Sequence, residues 1–412
     1  MHHLEILLSG DYKEAGLTQL KLTCPLDSFP EQILELGETL EQLELSGTGL
    51  SSLPSNLGSS LPKLKTALFS DCNFKVFPKE LASCLNLETV AFRNNGIEEI
   101  PRDALPRSLR CLVLTNNLLT FLPSDIGRCE QLQQLLVAGN QLRELPTEMA
   151  RCKKLQVLRL SSNCLETLPS WAFTLPKLAS LSFSSNPCAS PIANGVSARR
   201  FMANIPWSDL EIQQMPNGGE DESQSRSAIT SPGLWKQSPD YAEEVSIKLF
   251  RGSRPTDDGH PADELAAWLA AGAHESLITI LGRIQGHPDE AAPETQETYH
   301  GGLASCLHHL HSRGIAHGNL TSAAILASTE LQHAVLRDFA AATIYRASSA
   351  AKENQKGIER IEVLAFGRVM EHILGLVGRD EREGEEGREN DVEKGLRELV
   401  TKCVRERVRG EA

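Results

Sequence analysis

Aromatic side chains are scarce in this chain: Phe, Trp and Tyr make up 5% of 412 residues, with 4 Trp and 4 Tyr. A core with so few rings is aliphatic, which argues against an aromatic-rich β-sandwich and suits a repeated aliphatic architecture. Positive charge is also in short supply. The 41 Lys and Arg against 54 Asp and Glu leave a formal charge of −13, which excludes broad nucleic-acid binding, because a phosphate backbone demands a basic face. No stretch approaches the roughly 18 apolar residues of a membrane span. Glu5 and Asp11 break up the N-terminal run that a secretion leader would need. The ten cysteines form no CxxC pair, so free, buried thiols in a reducing, cytoplasmic compartment are expected rather than disulfides or metal knuckles. The one sequon, Asn319-Leu320-Thr321, carries no meaning without secretion. At 412 residues the chain exceeds one ordinary core, and two domains are expected.

The first half is self-similar. "LEQLELSGTGLSSLP" begins at Leu40, "LRCLVLTNNLLTFLP" at Leu109, "LQQLLVAGNQLRELP" at Leu132 and "LQVLRLSSNCLETLP" at Leu155. With Leu17, Leu64, Leu87 and Leu178, these make eight aligned starts spaced 22–24 residues apart. The last leucine position of most units, held by Phe77 and Ile100 in two of them, precedes a proline: Pro54, Pro78, Pro101, Pro123, Pro146 and Pro169. The pattern is that of a leucine-rich repeat array. Leucines three and five places after each start are expected to point inward from a short parallel strand. Asn95, Asn117, Asn140, Asn163 and Asn186 fall where a side-chain amide can bond turn backbone, forming an internal ladder. The last unit dissolves into "NPCASP", so the array is expected to end near Cys188. Cys84, Cys129 and Cys152, three residues before a start, are expected as buried helical side chains.

Function in such arrays is expected on the concave sheet, between the inward leucines. The residues four after each start are Lys21, Glu44, Leu68, Ala91, Val113, Leu136, Arg159 and Ser182. The apolar strip Leu68, Ala91, Val113 and Leu136, with Arg93 and Arg159, is the candidate docking face. Its expected occupant is a protein partner or the chain's own second half. The bland alternative is that small aliphatics merely suit a parallel sheet.

The period stops at Pro187, and residues 216–240, "PNGGEDESQSRSAITSPGLWKQSPD", read as flexible. The chain then runs in order through a strand "EEVSIKLF", a helix "ADELAAWLAA", a strand "HESLITILG", a helix "GGLASCLHHLHSRG", a loop "IAHGNLTSAAIL" and "HAVLRDFAAATIY". This order resembles a protein kinase. "VSIK" is similar to the Val-Ala-Ile-Lys strand, which places Lys248 as the phosphate-pairing lysine and Glu264 as its helical partner. "HGNLTSAAIL" lies over the His-Arg-Asp loop, with His317 as the histidine that supports it. Asp338-Phe339-Ala340 lies over Asp-Phe-Gly, where the aspartate would hold magnesium. "IEVLAFGRVMEHILG" is similar to the buried helix of the large lobe, with Glu362 where aspartate is usual. The resemblance therefore implies an α/β leucine-rich repeat solenoid followed by an incomplete α+β protein-kinase-like domain. The expected boundaries are 1–16 as an N-terminal cap, 17–190 as repeats, 191–206 as a linker and 207–412 as the kinase-like part.

The departures from the kinase pattern decide the functional expectation. Asn319 stands where the catalytic aspartate would accept the substrate's hydroxyl proton, and an amide is no base near neutral pH; losing that help costs about 10²–10⁴ in rate. Ala324 replaces the asparagine that would hold a second magnesium. The glycine-rich loop is reduced to Gly218-Gly219 beside Glu220, Asp221 and Glu222. Between Gly286 and Gly301 only "HPDEAAPETQETYH" remains for a fifth strand, an adenine-binding hinge and a helix. The expectation is a leucine-rich repeat pseudokinase without resident cofactors. The alternatives are a weakly active Ser/Thr kinase using ATP and magnesium through Lys248 and Asp338, or a gene model lacking exons. His308, His309 and His311 are expected to form a helix face rather than a metal site, and "GRDEREGEEGREND" to form a solvated loop.

Overall fold

Each aligned leucine is followed, after one intervening residue, by a three-residue strand. These are β1 Gln19–Lys21, β2 Gln42–Glu44, β3 Thr66–Leu68, β4 Thr89–Ala91, β5 Cys111–Val113, β6 Gln134–Leu136, β7 Val157–Arg159 and β8 Ser180–Ser182. The computed structural model describes residues 16–189, 203–212, 228–238, 241–250, 255–272, 274, 276–277, 279–286, 294–298, 303–328, 333–345, 352–380 and 401. The strands lie in sequence order in one 8-stranded sheet, and the register advances by one whole repeat per strand: Leu43 is opposite Leu20 and Ala67, and Leu112 opposite Val90 and Leu135. The side chains three and five places after each start are buried, among them Leu20, Leu43, Phe69, Phe92, Leu135 and Leu160. Phe69, Phe74, Phe77 and Phe92 cluster at ring separations of 5.0–5.8 Å, so four of the chain's 12 phenylalanines serve a single place in the array.

The chain returns from strand to strand through short helical turns. Most are 3-10 helices, at Glu31–Leu36, Lys79–Ser83, Ser124–Arg128, Thr147–Arg151 and Ser170–Thr174; one is a single α-turn, α1 (Leu57–Ser60). Pro30, Pro78, Pro123, Pro146 and Pro169 each stand immediately before a 3-10 helix with φ between −70° and −62°. The proline ring pre-sets that angle and removes an N–H that would have had no helical partner. Cys84, Cys129 and Cys152 are buried as expected, but each caps the end of its helix instead of lying within it. A 22–24-residue repeat leaves too little chain for a longer helix.

Two side-chain ladders hold successive repeats together. In the first, Oδ1 of Asn117 accepts the Ile97 N–H at 3.0 Å and its amide nitrogen donates to Phe92 O at 2.9 Å. Asn95, Asn140, Asn163 and Asn186 repeat that pattern. Earlier in the array the same position is Cys72, whose thiol donates to Leu45 O at 3.3 Å. The second ladder lies one residue before. Gly47, Asp71, Asn94, Asn116, Gly139, Ser162 and Ser185, each seven after a start, all have φ between 53° and 77°. This is the left-handed turn that Gly, Asn and Asp tolerate best. Within it Asn116 donates to Asn94 Oδ1 and Asn94 to Asp71 Oδ1, each at 2.9 Å. A Cβ on Gly139 would lie 2.1 Å from Asn116 Oδ1, so that ladder stops there.

By packing, the chain divides into a first unit, Met1–Leu178 with Asn186–Cys188, and a second, Ala179–Ser185 with Ala189–Ala412. The second unit contains a five-stranded sheet in the order β10 (Leu210–Ile212), β11 (Ala228–Ser238), β12 (Tyr241–Phe250), β15 (Glu294–Thr298), β13 (Thr279–Ile280). Three two-stranded ladders accompany it: β9 (Ala203–Pro206) with β14 (Gly282–Gln285), β16 (Ile315–Ala316) with β19 (Thr343–Ile344), and β17 (Ile325–Ser328) with β18 (His333–Leu336). Among the described residues its longer helices are α2 (Pro261–Ala271), α3 (Leu303–Ser312) and α4 (Lys352–Asp380). Ala267, Trp268, Leu307, Leu310, Leu320, Leu336, Phe339 and Val369 form the main core, in which Trp268 stacks on Phe339 at 4.1 Å.

Several segments depart from the sequence reading. Residues 228–238, expected to be flexible, are the eleven-residue strand β11. Pro232 and Gly233 interrupt its pattern, yet a side chain at Gly233 would come within 2.7 Å of Ile247 Cδ1 and 2.9 Å of Glu211 O. The glycine there admits close strands rather than marking a loop. Residues 203–206, counted with the linker, form β9. Within the short polar segment after Gly286, residues 294–298 make a strand, because β12 offers backbone partners that polar residues satisfy as well as apolar ones. The expected strand "HESLITILG" shrinks to Thr279–Ile280 plus a bridge from Leu277 to Leu336. The buried helix starts nine residues early, at Lys352, and runs on to Asp380, into the stretch expected as a loop. Gly218, Gly219, Glu220, Asp221 and Glu222 lie outside the described residues.

Candidate functional site

On the repeat sheet, the positions four after each start are not uniformly open. Leu68, Ala91 and Leu136 are half-buried, whereas Val113 is 8% and Arg159 4% exposed. Parallel strands about 4.8 Å apart crowd one another's side chains on the inner curve of such a sheet. Arg93 is half-buried on the same side, two residues beyond Ala91. At the N-terminal end the strip is polar, where Lys21 Nζ lies 2.9 Å from Glu44 Oε1. The face therefore offers part of each aliphatic side chain, bounded on one side by an ion pair.

In the second unit, β12 carries Lys248 and α2 carries Glu264. The Lys248 ammonium donates to Glu264 Oε1, with the side chains 10% and 2% exposed. Strand and helix both place these residues: Lys248 follows Ile247 and so lies on the opposite face of β12, where it is buried too, and His260 starts α2 by accepting the Ala262 N–H at 3.2 Å. Burial pushes the Glu264 carboxyl up, Lys248 draws it back, and the nearby charge of Asp338 adds to the rise. Asp338 has φ 67°, a left-handed backbone unusual for a non-glycine residue. Lys248, Glu264 and Asp338, well separated in sequence, are thus brought into one electrostatic neighbourhood.

The loop after β16 holds the other sequence-selected residues. His317 is fully buried; its Nε2 lies 2.9 Å from Arg337 O and its ring sits edge-on to Phe339 at 5.1 Å. It braces the loop against the segment that carries Asp338. Gly318 N–H donates to Glu362 Oε1 at 2.7 Å, and Glu362 Oε2 accepts from His311 Nε2 at 2.7 Å. Asn319 is half-buried, with Oδ1 3.1 Å from Ser180 Oγ. Ala324 is 1% exposed and presents only a methyl group. With an amide at 319 and a methyl at 324, the loop holds neither a general base nor a second cation ligand at those positions.

The three histidines of α3 diverge. His311 goes to Glu362, His309 Nε2 lies 2.8 Å from Ala271 O, and His308 is exposed. Among the described residues no group of three or more His, Cys, Asp or Glu is placed to hold a metal ion. Sequence reading missed Ser180, which meets the loop after β16, and with it Thr343, Asp263 and Ser185. Ser180 Oγ donates to Gly318 O at 2.7 Å, Thr343 Oγ1 accepts the Phe183 N–H at 3.2 Å, and Ser185 Oγ donates to Asp263 Oδ2 at 2.6 Å. Only Gly318 gave a signal, as a small residue where the kinase pattern has arginine.

Comparison with known proteins bears on the first half of the chain. Residues 130–187 match the family model "Leucine rich repeat". The volume-regulated anion channel subunit LRRC8A of Homo sapiens is 33% identical over 133 residues, 32% of this chain and 16% of that protein; the Rattus norvegicus and Mus musculus proteins give the same figures. The chain thus spans a small part, 16%, of the length of these curated relatives. A solved leucine-rich repeat protein of Leptospira interrogans is 24% identical at TM-score 0.34, covering 41% of this chain and 49% of the other. The leucine-rich repeat ectodomain of the Arabidopsis thaliana membrane receptor kinase GASSHO1/SCHENGEN3 is 30% identical at TM-score 0.36, covering 40% and 21%. Among the described residues no helix is long and apolar enough to cross a membrane. The family pattern at 130–187 and the 8-stranded parallel sheet together identify a leucine-rich repeat array in this chain.

Proposed function

We propose that the chain is a leucine-rich repeat pseudokinase, a cytoplasmic protein-binding scaffold or signalling adaptor with little or no phosphotransfer. The observation that carries this reading is the chemistry of one loop: Asn319 and the buried Ala324 stand where a phosphotransferase needs a base and a cation ligand. Leucine-rich repeats present extended concave surfaces that suit protein partners, and the strip Leu68, Ala91, Val113, Leu136, Arg93 and Arg159 is the proposed docking face. In the second unit the Lys248–Glu264 pair serves stability and His317 supports the loop. The test is thermal melting with millimolar ATP, with and without magnesium. No shift is expected, and autophosphorylation that vanishes in Lys248→Met would overturn the reading. Replacing Leu68 and Leu136 by Asp is expected to preserve folding and abolish capture of the partner; an unchanged set of bound proteins would remove the docking face.

One observation favours a second reading, a weakly active Ser/Thr kinase. Lys248, Glu264 and Asp338 remain in one electrostatic neighbourhood, as binding of ATP and magnesium would require. A magnesium-dependent shift with ATP, lost in Asp338→Asn, would decide for it.

A further inference from the structure

Asn319 is an amide at the position where the kinase pattern has its general base, and it is not idle. Ser180 Oγ lies 3.1 Å from Asn319 Oδ1 and 2.7 Å from the carbonyl oxygen of Gly318, the preceding residue. A hydroxyl has one proton, so it donates to one oxygen and needs a donor of its own to be fully satisfied. The Asn319 atom beside the hydroxyl is the acceptor Oδ1, so it and Gly318 O compete for the same Ser180 proton. Unlike aspartate, the neutral amide accepts there without placing a negative charge beside the Gly318 carbonyl.

Two further features converge on the same segment. Gly318 has φ +77°, and a Cβ there would lie 2.2 Å from Ala341 O and 3.0 Å from Leu181 O. A residue without a side chain at 318 is what lets the backbone of Leu181 approach the loop. Beyond it, the Phe183 N–H donates to Thr343 Oγ1 at 3.2 Å and Ser185 Oγ to Asp263 Oδ2 at 2.6 Å. Ser180, Leu181, Ser182 and Phe183 are at most 7% exposed. The run Ala179–Ser185, "ASLSFSS", is thus bonded through the Phe183 N–H and through the hydroxyls of Ser180 and Ser185, in the manner of a peptide segment held by a groove.

We propose that Ala179–Ser185 is a built-in occupant of the second unit's hydroxyl-peptide site, with Ser180 seated at Asn319 where a substrate serine or threonine would otherwise lie. The inference rests on the kinase-like reading of that loop and adds its regulation: the site is filled from within the chain. Gly318 and Asn319 are then residues fitted to hold the segment, and their departure from the kinase pattern has a positive role.

The experiment is amide hydrogen exchange on the full chain, comparing the unaltered protein with Ser180→Ala and, separately, Gly318→Ala. Both variants are expected to raise exchange at least about ten-fold in peptides covering 315–322 and 341–345, with strands β2–β6 unchanged. Exchange at 315–322 equal to that of the unaltered protein in both variants would overturn the proposal. So would loosening that is spread equally over β2–β6, since Ser180 would then be holding the repeats alone. Gly318→Ala keeps the test decisive where loss of one hydroxyl is too mild to be seen. The ATP melting experiment on the unaltered chain reads the pseudokinase assignment separately, so failure of either is seen without the other.

Discussion

The imidazole of His311 meets the carboxylate of Glu362 at 2.7 Å, Nε2 to Oε2, in the interior between α3 and α4. Burial alone would push His311 down. The hydrogen bond and charge of Glu362, with the charge of Glu359, outweigh it and raise the imidazole above its ordinary value. A histidine raised in the folded state adds stability that is complete below the unfolded pKa of about 6.5 and is lost as pH climbs through the higher folded value. Unfolding free energy measured in urea is therefore expected to fall as pH rises from about 6.5 through the folded pKa. In His311→Gln that slope is expected to flatten, with about 2 kcal/mol lost at low pH, the scale of a hydrogen bond to a charged group. An unchanged slope would show that the pair does not titrate with folding.

Asn140 accepts the Leu119 N–H at 3.1 Å and donates to Leu114 O and Val137 O at 2.9 and 3.0 Å. Truncation to alanine leaves a buried N–H and carbonyls without partners, so Asn140→Ala is expected to cost about 3 kcal/mol. Cys72→Ser, which keeps a donor at the equivalent place, is expected to cost less than about 1 kcal/mol. Denaturant unfolding of the two variants checks the ranking. Equal losses would mean that the ladder contributes packing and not hydrogen bonding.

Burial raises the thiols of Cys84 and Cys152 to about 11 and those of Cys129 and Cys306 to about 12. The thiolate is the nucleophile, so these four are expected to resist iodoacetamide at neutral pH until the protein unfolds. Cys164 is exposed and is expected to be alkylated before these four. Mass spectrometry of peptides from briefly treated native protein reads the order directly. Early labelling of Cys129 would contradict the buried position at its helix end.

Lys248→Met is expected to be destabilising whether or not the chain binds nucleotide, because it leaves Glu264 buried without its cation. Breaking a buried pair from one side costs about 3–5 kcal/mol. Removing both members in Lys248→Met/Glu264→Leu is expected to recover most of that loss. Thermal melting of the three proteins decides, and an unstable double variant would show that the pair's packing matters beyond its charge.

Much of the repeat half could be read from the sequence because each unit reports locally. The leucines at three and five places name the buried face, and the asparagines from Asn95 to Asn186 name the ladder, before any strand is paired. The same reading passed over the residues seven after each start, although Gly47, Asp71, Asn94, Asn116 and Gly139 are turn formers at a fixed place. In the second half, Pro232 and Gly233 disguised β11, since the reason for the glycine is the nearness of Ile247 and Glu211, which no local window contains. Polar Glu294–Thr298 forms a strand through backbone bonds that composition does not report. Lys248 and Glu264 were found from their order along the chain. Ser180 was not, because a serine at the second place after a repeat start breaks no pattern.

The asparagine ladder gives the array a grain. Asn117, Asn140, Asn163 and Asn186 each reach back to a carbonyl of the preceding repeat and take that repeat's N–H in return. None of these amides depends on a repeat still to come. A chain emerging from its N-terminus therefore completes each turn with the next residues to appear, and a truncation near Cys188 leaves only the most recent repeat short of its partners.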